Sequence, residues 1–318
     1  MAASLSRDTR VYVAGHRGLV GSALTRRLAR MGIENALVAD RDELDLRNAR
    51  AVQTWFEHQR PEVVIHAAGT VGGLGANIAR PAEFWLDNLL MATNVLDAAH
   101  KLGVRMLLYL GSSCVYPRDC PQPMKEKHFL SGPLEPSNAA YAIAKIAGIM
   151  GCQAYRRQHS RKFISALPAN LYGPHDHFEP ERSHVVAALI RKFHVAKITG
   201  SAEVVLWGTG APRRELLHVD DLADACLFLL ENYDGEQPIN VGVGQDVSIR
   251  ELAETIREFV APGVTIRFDS SKPDGVPRKL LDVSRMRQLG WQPRIGLAEG
   301  LRQTYNWFVE SSPYEEAI

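Results

Sequence analysis

The stretch that most constrains this chain is "VYVAGHRGLVGSALTRRLARMG", close to its amino terminus. "VYVAG" is apolar and β-branched and reads as a short buried strand. Gly15, Gly18 and Gly21 follow in a G-x-x-G-x-x-G spacing. From Leu19 the apolar positions Leu19, Val20, Ala23, Leu24 and Leu28 recur at helical intervals. A strand, a glycine turn and a helix in that order let main-chain N–H groups approach a pyrophosphate and turn the positive end of the helix toward it. A glycine triplet alone is a weak signal. Flanked by this strand and this helix, it predicts a dinucleotide site with Gly15, Gly18 and Gly21 as its floor.

The next segment, "NALVADRDELDL", bears on which dinucleotide. Asp40 ends an expected second strand about 20 residues past the loop, where an acid grips the ribose 2′-hydroxyl of NAD. Arg17 inside the loop and Arg41 beside Asp40 argue the other way, because guanidinium groups suit the 2′-phosphate of NADP. The balance favours NADP(H), with a solvated loop charge as the plain alternative for Arg41.

Strand and helix patterns keep alternating. "EVVIHAAG" reads as a strand, "LLMATNVLDAAHKLG" as an amphipathic helix and "RMLLYLGSS" as another strand, which is the pattern of a doubly wound parallel α/β sheet of Rossmann type. The 318 residues suit one large or two modest domains. A net charge of +1 provides no strong field toward nucleic acid or anionic lipid. No apolar run reaches the ~18 residues of a membrane span, and "MAASLSRDTR" lacks the apolar segment of a secretory signal. Cys114, Cys120, Cys152 and Cys226 form no metal-binding spacing, so reduced thiols in a cytoplasmic protein are expected.

Chemistry enters with "SNAAYAIAKIAGIMGCQAYRRQ". Tyr141 and Lys145 stand four apart on a helix, and so share a face. An ammonium beside a phenol is expected to lower the tyrosine pKa and ready it for proton transfer. Alone, such a pair is more often a surface coincidence. "GSSCVYP", at the end of a buried strand, adds a hydroxyl that can hold the same substrate oxygen, and the coincidence becomes an active-site prediction.

On these residues the chain resembles the extended short-chain dehydrogenase/reductase family, in its nucleotide-sugar branch. The family's serine stands four residues before a tyrosine, here Tyr116, which selects Ser112 over Ser113. Members that eliminate water carry an acid pair at the next two positions. Here those are Ser113 and Cys114, so the resemblance implies another reaction. The likeness is closer still to GDP-4-keto-6-deoxy-mannose 3,5-epimerase-4-reductases. It extends over nearly the full length, on "AGHRGLVGSA", "GSSCVYP", "EPSNAAYAIAKIAGI", "PANLYGPHDHFEPERSHVVAALIRKFH", "WGTGAPRRELLHVDDLA" and "KPDGVPRKLLD". It implies a reductase trio of Ser112, Tyr141 and Lys145 and an epimerisation pair of Cys114 and His184. It places further NADP(H) contacts on Lys145, Pro168, Asn170, Leu171 and His184, and nucleotide-sugar contacts on Lys192, Trp207, Arg214 and Asp274. No metal is implied. One departure is Ala39, where the family can carry an arginine for the 2′-phosphate.

Each of these residues also has a plain structural explanation. Cys114 could be a packed thiol, His184 a helix-start residue, Lys192 a solvated charge, Trp207 core and Asp274 a turn residue. The H-x-H of His175 and His177 lies in a proline-rich loop and is a weak metal signal. The chain is expected to divide into a dinucleotide-binding domain, residues 1–172 plus 215–240, and a substrate lobe, 173–214 plus 241–318. The resemblance further implies a homodimer built on the helices near 84–101 and 139–158. Two competing functions stay open: a related enzyme for another nucleotide sugar, such as a GDP-4-keto heptose, and a non-catalytic dinucleotide sensor. The second fits poorly with an intact Tyr141 and Lys145.

Overall fold

The computed structural model of the chain describes residues 5–311 apart from 35, 181 and 273. Strand β1 (Val11–Ala14) leads through the glycine turn into α1 (Leu19–Arg30). There follow α2 (Ala49–Gln59), β2 (Val63–His66), α3 (Leu74–Ala79), α4 (Pro81–Lys101), β3 (Met106–Leu110), α5 (Ala139–His159) and β4 (Lys162–Pro168). The chain then crosses to a second lobe with β5 (Asn170–Tyr172), α6 (Val185–Thr199), β6 (Glu203–Trp207) and β7 (Arg213–Arg214). It returns through β8 (Leu216–His218), α7 (Val219–Asn232) and β9 (Ile239–Val241). Last come β10 (Val247–Ser248), α8 (Ile249–Val260), β11 (Thr265–Asp269), β12 (Arg278–Lys279), α9 (Ser284–Gln288) and α10 (Leu297–Ser311).

The central sheet runs β1-β2-β3-β4-β9 with every pair parallel. Strands β1, β2 and β3 are buried at every position, as strands covered by helices on both faces must be. The second strand expected in "NALVAD" shrinks to a single bridge. Leu37 donates its N–H to Val11 (2.8 Å) and accepts one from Val13 (3.0 Å). Val38 beyond it is 39% exposed, and the chain turns away directly after Asp40. Among the described residues no further strand lies outside it to extend the ladder. The bridge still puts a neighbour on each side of β1, so the crevice at the end of β1 is a topological switch point, where α/β sheets bind ligands.

Two cores separate the lobes. The first joins β1–β4, α1, α2, α4 and α7, and also takes in Leu281, Val283, Met286 and Trp291 after β12. The second gathers Phe178, Ile190, Phe193, Leu252, Ile256, Leu301 and Phe308 from α6, α8, α10 and the loops near them. Glu215, 1% exposed between β7 and β8, ties the junction together. Its carboxylate accepts the N–H groups of Gly244 (2.6 Å) and Leu281 (2.7 Å), and burial pushes it up to about 7.

Helix α5 lies against α4 on one side and against the sheet on the other. Gly148 makes the second contact possible, because an added methyl there would overlap the Tyr109 ring of β3. The outer face of α4 and α5 leaves Trp85, Leu86, Ile143 and Met150 substantially exposed. Among the described residues, no helix is long and apolar enough to cross a membrane.

Candidate active site

A cleft of about 1270 Å³ opens at the carboxyl ends of the sheet strands and continues between the lobes. It is larger than the several hundred Å³ that one drug-sized ligand fills. Gly18, Arg41, Ser112, Cys114, Tyr141, Lys145, Pro168, Asn170, Leu171, His184, Arg214 and Asp274 all line it.

The cleft's first end is the glycine turn. Gly15 has φ +85°, and a Cβ there would stand 2.7 Å from the Ala68 Cα. An added Cβ at Gly21 would overlap the Gly15 carbonyl oxygen. Only glycine therefore lets β1, the turn and α1 close this tightly, and Gly18 then serves as the residue that opens α1. Arg17 reaches out to an ion pair with Asp40, and His16 Nε2 lies 3.4 Å from the same carboxylate. The two opposed sequence signals thus meet: Asp40 is engaged by Arg17, and Arg41 is left exposed on the cleft wall.

The central group stands where β3 ends and α5 passes. Ser112 Oγ accepts the Cys114 N–H (3.2 Å) and opens the short turn Ser113–Val115. Lys145, 5% exposed, donates to the Leu110 carbonyl (2.9 Å), and burial pulls its ammonium down to about 8. The expectation that Lys145 lowers the Tyr141 pKa is not met. Burial pushes the phenol well above its ordinary value, the nearby Cys114 adds to this, and only the hydrogen bond with Ser112 opposes it. Lys145 Nζ lies 5.8 Å from the centre of the Tyr141 ring and donates to the Leu110 carbonyl, and burial of the phenol outweighs it.

Cys114 is partly exposed and unbridged. Asn138 Nδ2 donates to its sulfur at 3.3 Å, and Lys279 Nζ stands 3.8 Å from it. These two donors come from the approach to α5 and from β12, so both lobes hold the sulfur in place. His184 precedes α6 and lines the cleft, with Nδ1 turned 3.7 Å from the buried Asp176. That carboxylate pushes the imidazole pKa up, against the effect of burial.

The four expected sugar-nucleotide residues divide. Arg214 and Asp274 reach the cleft, and burial pulls the Arg214 pKa down. Asp274 accepts the Thr209 N–H (2.7 Å) and hydroxyl (2.8 Å), so it pins the loop after Trp207. Trp207 is 68% exposed, which rules out a core role, and Lys272 Nζ stands 5.7 Å from the centre of its ring. Lys192 lies behind, donating to the Val205 carbonyl (3.0 Å). His175 and His177 diverge: the His175 ring lies 4.8 Å from that of Trp307, tilted by 38°, while His177 faces Glu179 at 3.7 Å. Sequence reasoning passed over Asn138, Asp176 and Lys279. All three lie inside stretches that were singled out, but their spacing carries no helical or strand period linking them to Cys114 or His184.

The family model of NAD dependent epimerases/dehydratases matches residues 11–244. The chain belongs to this family. Within it, "Probable GDP-L-fucose synthase 1" of Oryza sativa subsp. japonica is 55% identical over 303 residues, covering 95% of this chain and 92% of that protein. "GDP-L-fucose synthase" of Escherichia coli K12 is 50% identical over 311 residues, covering 95% and 97%. The crystal structure of a GDP-L-fucose synthetase from Naegleria fowleri bound to NADP superposes with a TM-score of 0.88 at 31% identity, over 99% of this chain and 97% of that one.

Proposed function

We propose that this protein converts GDP-4-keto-6-deoxy-D-mannose to GDP-L-fucose, by epimerisation at C3 and C5 and NADPH-dependent reduction at C4. The observation that carries the reading is the company Cys114 keeps. Together with 50–55% identity to GDP-L-fucose synthases, a thiol held beside Ser112 and Tyr141 supports proton exchange and ketone reduction at one sugar.

The residues present fit the dinucleotide. The glycine cradle at Gly15 and Gly21 and the opening of α1 suit its pyrophosphate. Lys145, Pro168, Asn170 and Leu171 lie along the same wall. Arg17 and Arg41 suit a 2′-phosphate, for which Arg17 would exchange its contact with Asp40. NADPH, when bound, supplies the hydride for C4.

The chain's own groups do the rest. A ketone at C4 acidifies the hydrogens at C3 and C5, because the electron pair left behind spreads onto O4. Ser112 and Tyr141 hydrogen-bond that oxygen and stabilise its charge. Cys114 and His184 exchange protons at the carbons, one from each face. In the reductive stage Tyr141 gives its proton to O4, which suits a phenol that burial keeps protonated. Trp207 and Arg214 suit the base and the pyrophosphate of the sugar nucleotide.

The apolar outer face of α4 and α5 supports a homodimer through those helices, and the four free cysteines suit a reducing cytoplasm. Incubation with GDP-4-keto-6-deoxy-mannose and NADPH tests the reaction. Reduced nicotinamide should be consumed in step with GDP-L-fucose formation, and an unreacted sugar overturns the reading. Light scattering at micromolar concentration should return twice the 35.3 kDa chain mass.

A further inference from the structure

Asp176 stands in the loop between β5 and α6 and is 7% exposed. Its Oδ1 accepts the His177 N–H at 2.8 Å and lies 3.7 Å from His184 Nδ1. Its Oδ2 is buried without a partner. Among the described residues, His184 is the only ion-pair partner this carboxylate has. A buried carboxylate with one neutral donor and an orphan oxygen is costly unless a cation faces it. His184 is placed to be that cation. Its Nδ1 is buried and, at 3.7 Å from Asp176 Oδ1, makes an ion-pair contact without a hydrogen bond, while 43% of the side chain is exposed, so the other ring edge is left for the cleft.

We propose that Asp176 is a positioning residue for His184, holding Nδ1 and stabilising the imidazolium so that Nε2 can deliver a proton to the sugar. The proposal rests on the function given above and assigns His184 the acid's part. Each proton exchange then balances. Cys114 takes a proton from carbon, and the electron pair moves onto O4. The imidazolium gives its Nε2 proton to the opposite face of the same carbon, and the pair returns. Exchange with water restores both groups.

The surroundings make the carboxylate decisive. His184 is the residue that opens α6, and the positive end of a helix disfavours a cation there. Glu179 and Arg182, on the same loop, engage His177 instead. The cleft is also lined by Cys114, Tyr141, Lys145 and Lys279, by the carboxylates of Glu83, Asp87, Asp119, Glu135 and Asp274, and by Arg41, Arg47, Arg80, Arg118, Arg182 and Arg214. Of the cleft's carboxylates, Asp176 is the one that pairs with His184 among the described residues.

The test is Asp176→Asn. An NMR titration of the His184 ring in the complete, substrate-free protein should show its midpoint falling below that of the unmodified protein. That measurement needs no sugar, so it stands even where the proposed substrate fails. In heavy water the variant should incorporate deuterium at C3 and C5 about tenfold more slowly or worse, and the alkaline limb of that exchange should move to lower pH. In a His184→Asn background the same substitution should cost little more. Should Asp176→Asn fail to fold, Asp176→Ser keeps an acceptor for the His177 N–H while removing the charge. An unmoved His184 midpoint, or losses that simply add in the double variant, would show a merely structural carboxylate and overturn the proposal.

Discussion

The two walls of the cleft are built differently. Ser112, Tyr141 and Lys145 come from β3, the turn after it and α5, all in the first lobe, and Lys145 is tied into the sheet through Leu110. Cys114 also stands on that wall, but its sulfur is held partly by Lys279 of β12, and its proposed counterpart His184 belongs to the second lobe with Asp176. The proposed reducing group is therefore a local construction, whereas the proposed epimerising pair draws on both sides of the cleft. Reduction should survive changes that disturb the junction, and epimerisation should not.

The largest effect should come from the local wall itself. Tyr141→Phe keeps the ring against Phe84 and removes the proton donor. NADPH oxidation should fall by ~10²-fold or more, while GDP affinity, measured by calorimetry, stays near that of the unmodified protein. Near-normal turnover would remove Tyr141 from the reaction.

Cys114→Ser separates the walls. The hydroxyl is close in shape but a far weaker base. The variant should lose deuterium incorporation at C3 or C5 in heavy water and still oxidise NADPH slowly, leaving a C4-reduced sugar whose configuration is unaltered at the unexchanged carbon. A variant that still forms GDP-L-fucose carrying full deuterium at both carbons would return Cys114 to the role of a packed thiol.

Arg17→Ala probes the cofactor end. A charge-assisted contact contributes ~1.5–3 kcal/mol, so the preference for NADPH over NADH should drop roughly ten- to hundredfold. Equal affinities in the unmodified protein would contradict the idea before any mutation is made.

A last effect, on stability rather than on rate or affinity, concerns the seam. Glu215 is raised from an ordinary 4.5 to about 7 because burial disfavours its charge. Between those values the folded protein holds a proton that the unfolded chain has lost. Stability from this group is therefore greatest at low pH and declines as pH rises through about 7, by roughly 3 kcal/mol. Glu215→Gln should flatten this part of the profile, and comparison of melting temperatures at pH 5 and pH 8 measures it. Identical pH slopes for the two proteins would show that Glu215 keeps its ordinary behaviour.

The local wall is also the legible one. The glycine turn and the Tyr141/Lys145 pair follow from short-range periodicities, of a strand, a turn and a helix, and the structure keeps each where its period puts it. Legibility fails where a contact is long in sequence and carries no period. The expected strand in "NALVAD" contracts to the Leu37 bridge, because edge pairing depends on what lies outside it, which no local pattern encodes. Asn138, Asp176 and Lys279 reach their partners through loops and a two-residue strand, so their identity as neighbours appears only in three dimensions. The predicted influence of Lys145 on Tyr141 failed for a related reason. Helical spacing fixes the face that two residues share, but not the carbonyl that one of them chooses.

The contact at Gly148 carries a consequence for how such a protein can change. Helix α5 presents Tyr141 and Lys145 inward and Ile143 and Met150 outward, and its distance from the sheet is set by an absent side chain over the Tyr109 ring. A single methyl there would act as a shim, displacing the proton donor and the outward apolar strip by the same step. Variation at this position would strike the proposed chemistry and the proposed dimer face in one stroke, so neither could drift while the other stayed fixed.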